Sequence, residues 1–148
     1  MRLSPRVYDQ MRAVPLFAGL SQQELRAVAN VGTTMELKVG AVLTKEKMTG
    51  QEAFFILSGG ARCSIDGTEV ASLGTGQFVG EMSLLDRGPR SATVVADSDM
   101  RLLVLEPREF DRLIQASPKI ARKLLVEMAP GSSARPEGRR LILAFASR

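Results

Sequence analysis

The sequence predicts a mainly β fold with flanking helices, and three observations carry that expectation. Between Thr33 and Leu105 the apolar residues fall in short or alternating runs punctuated by glycine, a pattern that favours a sandwich or barrel over a βαβ sheet. Inside this stretch Asp66-Gly67 separates two such runs, and both residues tolerate the positive φ of a tight hairpin turn. On either side the periodicity becomes helical.

In chain order, a first helix is expected over Pro5 to Arg12, followed by Val14-Pro15-Leu16-Phe17. A second opens at Ser21, because Ser21 and Glu24 have the spacing of a capping box, in which side chain and backbone satisfy each other reciprocally. Strands are expected at Thr33 to Val39, Ala41 to Thr44, Ala53 to Leu57, Ala61 to Ile65, Glu69 to Leu73, Ser91 to Ala96 and Met100 to Leu105. Beyond them, Phe110, Leu113 and Ile114 lie at helical spacing, as do Ile120, Leu124, Leu125 and Met128, with Pro118 separating the two helices and starting the second. Pro130-Gly131-Ser132-Ser133 breaks the pattern and Ala134 to Gly138 extends it as a linker. A last short helix over Arg139 to Arg148 would carry Leu141, Ile142 and Phe145 on one side. The organisation expected is therefore one domain over 1–129, with N-terminal helices at 4–31, a β body at 33–105 and C-terminal helices at 107–129, then a linker and tail at 130–148.

Composition narrows the function. With 148 residues, 45% hydrophobic and 24% charged, the chain has the make-up of one ordinary globular unit. No apolar run approaches the roughly 20 residues of a membrane span. The basic start has no apolar stretch behind it, so no secretory signal is expected and the location expected is cytoplasmic. There is no histidine and only one cysteine, Cys63, which removes the commonest metal ligand and general base together with any cysteine-rich metal site. An enzyme is not expected, and Cys63, between Ala61 and Ile65 at strand period, reads as a buried core residue. The net charge of +4 suits an anionic ligand, but its basic residues are spread along the chain and read mainly as solvated surface.

The stretch that carries chemistry is Gly76 to Val94, which interrupts the strands. Gly76 and Gly80 bracket a strand-sized run containing Phe78. Glu81 to Leu85 can make one helical turn whose free N–H groups suit a phosphate, and Gly88-Pro89 turns the chain back so that the Arg90 guanidinium returns toward it. Taken singly, Glu81 also suits a helix N-terminus and Arg90 also suits an ion pair with Asp86 or Glu81.

Together, Gly80-Glu81 and Pro89-Arg90-Ser91-Ala92-Thr93 resemble the phosphate-binding cassette of the cyclic-nucleotide-binding domain family. Gly40, Phe54-Phe55-Ile56-Leu57, Ser58-Gly59 and Leu73 to Gly76 resemble the framework that precedes it, so the resemblance covers roughly Val14 to Met128. It implies an antiparallel β-roll, a jelly-roll-like double-stranded β-helix, with C-terminal lid helices. It further implies that Glu81 accepts a hydrogen bond from a ribose 2′-hydroxyl while Gly80 allows close approach. The N–H groups of Met82 and Ser83 would face the cyclic phosphate, Arg90 would neutralise it and Ser91 would add an N–H. Cyclic AMP is favoured over cyclic GMP, because relatives that prefer cyclic GMP often carry threonine where this chain has Ser91. No cofactor is implied beyond that regulatory ligand.

Two departures stand out. Where many family members have a Glu-Gly pair before the Phe54 to Leu57 strand this chain has Glu46-Lys47, and it has Gln77 beside Gly76 where others are acidic. The lid is cut short by Pro130-Gly131, so the purine contact is unassigned, with Arg139 and Arg140 as candidates against ordinary surface charge. The function expected is a regulatory sensor that relays occupancy through Ala116 to Met128 to an effector protein or domain, with a homodimer left open. The alternatives are the nucleotide-binding piece of a larger channel, kinase or transcription regulator, or a scaffold that binds no nucleotide. DNA binding is not expected of these residues, since too little follows Met128 for a DNA-reading unit.

Overall fold

The computed structural model describes residues 5–14, 17–48, 52–80 and 92–128. Two helices, α1 (Pro5–Arg12) and α2 (Gln22–Val31), precede eight strands. These are β1 (Thr33–Leu37), β2 (Val42–Thr44), β3 (Ala53–Ser58), β4 (Ala61–Ile65), β5 (Thr68–Leu73), β6 (Phe78–Val79), β7 (Thr93–Ala96) and β8 (Met100–Leu105). Helices α3 (Pro107–Ala116) and α4 (Pro118–Met128) follow.

The strands form two antiparallel sheets, ordered β1-β8-β3-β6 and β2-β7-β4-β5. Only β4 and β5 are both consecutive and paired, so the chain passes back and forth between the sheets. This is the β-roll with flanking helices that the sequence leads one to expect. The β4–β5 turn is the Asp66-Gly67 hairpin, with φ of 51° and 79°. At α2 the capping box is present: the Ser21 hydroxyl accepts the Glu24 N–H at 3.1 Å and the Glu24 carboxylate accepts the Ser21 N–H at 2.8 Å. β1 ends at Leu37, short of the expected Val39, because the chain turns there. Ala41 N–H donates to the Lys38 carbonyl, and Val39 N–H is taken by the Asp99 carboxylate at 3.0 Å instead of a strand partner.

Within the β1-β8-β3-β6 sheet, β3 and residues 102–105 of β8 are buried on both faces, which explains why these stretches are continuous apolar runs, whereas β1 at the edge has no fully buried residue. Side chains alternate along a strand. Ala53, Phe55, Leu57, Phe78, Leu103 and Leu105 therefore face the helices, meeting Met11, Phe17, Leu25, Val28, Phe110 and Leu113. Phe54, Ile56, Val79, Leu102 and Val104 face the second sheet, meeting Ala61, Cys63, Leu73, Ala92, Val94 and Ala96. Cys63 is wholly buried in this second cluster, as its strand period indicates.

Candidate ligand-binding site

The approach to the site is built on the end of β3. Ile56 N–H donates to the Gln77 carbonyl at 2.8 Å, and Gly76 N–H donates to the Ile56 carbonyl at 2.9 Å, so the chain before β6 is bonded to β3 on both sides. The Gln77 side chain closes the preceding turn by accepting the Gly74 N–H at 2.8 Å. An acidic residue there would accept the same bond, which accounts for the tolerance of glutamine. Phe78 and Val79 then pair with Phe55 and Phe54.

Gly80 ends β6 with φ of 76°, a left-handed conformation that costs a residue with a Cβ about 1 kcal/mol or more. It turns the chain out of the first sheet. The chain next enters the described structure at Ala92, buried between the sheets, and continues into β7 of the second sheet. The expected cassette thus begins at the rim of one sheet and finishes at the rim of the other. Of the residues expected to meet the ligand, Gly80 is the one that lies among the described residues. Glu81, Met82, Ser83, Arg90 and Ser91 lie outside the described residues, as do Arg139 and Arg140.

Side chains secure the far end of this segment. The ladder between β2 and β7 shifts register between Val42 and Thr44, and Thr44 is its last partner, opposite Val94. Beyond it, the Thr44 hydroxyl donates to the Ala92 carbonyl at 2.9 Å. Thr44 is the buried polar side chain among the described residues, 6% exposed. Next along the chain, Glu46 N–H donates to the Thr93 hydroxyl at 3.2 Å, and that hydroxyl donates back to the Glu46 carboxylate at 3.1 Å. The other carboxylate oxygen accepts the Asp66 N–H of the β4–β5 hairpin at 2.9 Å. Sequence reasoning passed over Thr44, and noted Glu46 only as part of a departure from the family pattern. The available signal was the Glu46-Lys47 pair itself: Lys47 has φ of 66°, so the turn keeps the left-handed conformation that glycine would supply more cheaply.

Two of the other concavities among the described residues differ in lining. One, of about 280 Å³, is lined by Arg6, Gln10, Glu36, Lys38, Asp99 and Arg101. Its charges are largely paired, Arg101 with Glu36 at 2.8 Å and Lys38 with Asp99 at 3.5 Å. The Arg101 guanidinium holds the Glu36 carboxyl below the usual glutamate range, and the Val39 N–H followed by Lys38 does the same for Asp99. The other, of about 520 Å³, is an apolar groove on α3 and α4 lined by Ile114, Pro118, Ala121, Arg122, Leu125 and Val126. No described helix is long and apolar enough to cross a membrane.

Residues 34–117 match the family described as the cyclic nucleotide-binding domain. A cyclic nucleotide-gated potassium channel of Rhizobium etli is 35% identical over 129 residues, covering 85% of this chain and 36% of the channel. The cyclic AMP receptor protein of Thermus thermophilus is 34% identical over 124 residues, covering 80% of this chain and 57% of the receptor. The chain therefore spans less than two thirds of either relative. Among solved structures, the N-terminal domain of a transcriptional regulator from Streptomyces coelicolor superposes with a TM-score of 0.71 at 28% identity, over 92% of this chain and 94% of that one. Fold and sequence agree: this chain belongs to the cyclic nucleotide-binding domain family.

Proposed function

We propose that the chain binds cyclic AMP as a regulatory sensor and performs no reaction of its own. The observation that carries this reading is the framing of residues 81–91, left-handed Gly80 at one sheet and buried Ala92 at the other. The sequence in between holds the Glu81, Arg90 and Ser91 that a ribose cyclic phosphate requires. In this reading Glu81 accepts the 2′-hydroxyl, the N–H groups of Met82 and Ser83 meet the phosphate, Arg90 neutralises it and Ser91 completes the ring of donors. Serine rather than threonine at 91, together with a relative named for cyclic AMP, supports cyclic AMP over cyclic GMP.

Occupancy would be relayed through α3 and α4 to an effector, a role supported by the apolar groove that those helices form among the described residues. A second reading, the nucleotide-binding piece of a larger channel, kinase or transcription regulator, is supported by the relatives, which extend well past the matched stretch. The molecular mass of the native protein on an immunoblot distinguishes these.

Calorimetric titration with cyclic AMP, cyclic GMP and cyclic di-GMP tests the ligand, and Arg90→Ala tests the site. Loss of the charge-assisted phosphate contact should cost about 2 to 4 kcal/mol, or about 30-fold to 1,000-fold in affinity. If Arg90→Ala binds as tightly as the parent, the site assignment is wrong. If none of the three nucleotides binds, a nucleotide-free scaffold replaces the sensor.

A further inference from the structure

We infer that Thr44 and Glu46 are positioning residues for nucleotide binding, forming a clamp that fixes where the chain lies as it leaves residue 91, without themselves touching the ligand. The inference rests on the reading above that residues 80–91 hold a cyclic nucleotide. Its structural basis is the way the β2–β7 ladder ends. Backbone pairing stops at Thr44 and Val94, two residues short of Ala92. From there the Thr44 hydroxyl serves the Ala92 carbonyl, beyond the last pair of the β2–β7 ladder, and Glu46 serves Thr93 through two reciprocal bonds.

A buried carbonyl left without a donor is costly, so the Thr44 bond restricts Ala92 to one placement. The Glu46 carboxylate reaches further. It joins the turn after β2, the start of β7 and the tip of the β4–β5 hairpin, three segments far apart in sequence, at a single group. Ala92 and Thr93 follow Ser91 and Arg90 directly, so whatever fixes the first pair limits the positions open to the second. A site whose donors are already in place loses less conformational freedom on binding, and that saving appears as affinity.

The test compares the parent with Thr44→Val, Thr44→Ser, Glu46→Ala and, as a stability control on the opposite side of the sheet, Val28→Ala. Cyclic AMP affinity is measured by calorimetry at a temperature where circular dichroism shows every variant folded, and amide hydrogen exchange is followed at Thr93 and Val94. Thr44→Val and Glu46→Ala should each weaken binding about fivefold to tenfold, the equivalent of one neutral or charge-assisted hydrogen bond. Thr44→Ser should bind within about twofold of the parent, and both clamp variants should exchange faster at Thr93 and Val94. Val28→Ala should melt earlier yet bind as the parent does. The clamp is overturned if Thr44→Val and Glu46→Ala bind like the parent, or if Val28→Ala weakens binding as much as they do. A parent that binds neither cyclic AMP nor cyclic GMP defeats the nucleotide reading instead, and the exchange data then decide the clamp: unchanged rates at Thr93 and Val94 reject it.

Discussion

The two faces of the β1-β8-β3-β6 sheet are packed in different ways. Toward the helices it carries aromatic rings: Phe17 lies 5.1 Å from Phe55, and Phe55 lies 6.0 Å from Phe78, between centroids in tilted contacts. Toward the second sheet the partners are small or aliphatic, with Ala61, Cys63, Ala92 and Ala96 opposite Ile56, Leu102, Val104 and a single ring, Phe54, among the described residues. The buried polar side chain among the described residues, Thr44, also belongs to this inner side, where its bond goes to Ala92. One face concentrates large contacts that hold the chain folded. The other combines modest apolar packing with directional bonds at the place where the candidate site returns to the sheet.

The largest effect should come from the ring-packed face. Phe55→Ala removes a ring that touches two others and should cost about 3 to 5 kcal/mol in urea unfolding, whereas Cys63→Ala on the inner face should cost about 1 kcal/mol. Equal losses would break the comparison. A smaller effect of opposite sign is expected at Lys47. Replacing it with glycine releases the left-handed strain and should stabilise the protein by about 0.5 to 1 kcal/mol in the same measurement. Destabilisation would mean that the lysine side chain contributes more than its backbone costs.

The smallest effect concerns pH and the helical side. The Glu24 carboxyl is held below the usual glutamate range, first by the Ser21 N–H and then by Lys123, whose ammonium lies 3.0 Å away and ties α4 to the start of α2. A depressed pKa means that this contribution is present above the unfolded value of about 4.3 and disappears as pH falls through the folded value. Melting temperature followed from about pH 6 down to about pH 2.5 should therefore fall less steeply for Glu24→Gln than for the parent. Parallel curves would remove Glu24 from the acid response, leaving Glu36 and Asp99, whose pKa values are lowered as well.

Much of this architecture is legible in the sequence because its signals are local. Asp66-Gly67 specifies a turn by itself, Ser21 and Glu24 are three residues apart, and the β4 and β8 strands lie where their runs place them. Partner choice is not local: β1 lies beside β8, with Thr33 opposite Val104. The same distance hides the clamp. Nothing near Thr44 distinguishes it from a threonine on a solvated strand, since the carbonyl that it serves is 48 residues away. Within the candidate site, the short strand bracketed by Gly76 and Gly80 was legible from the two glycines, whereas Glu81 to Ser91 lie outside the described residues.

The opposite outlook of neighbouring residues on β3 has a consequence for how such a chain can diverge. Phe54 belongs to the roll interior and Phe55 to the helix face, so inserting or deleting one residue within β3 would exchange the two populations and spoil both cores together. Length changes are consequently confined to places such as the exposed Asp66-Gly67 tip. β3 and β8, by contrast, act as a fixed ruler against which every other segment of the roll has to be measured.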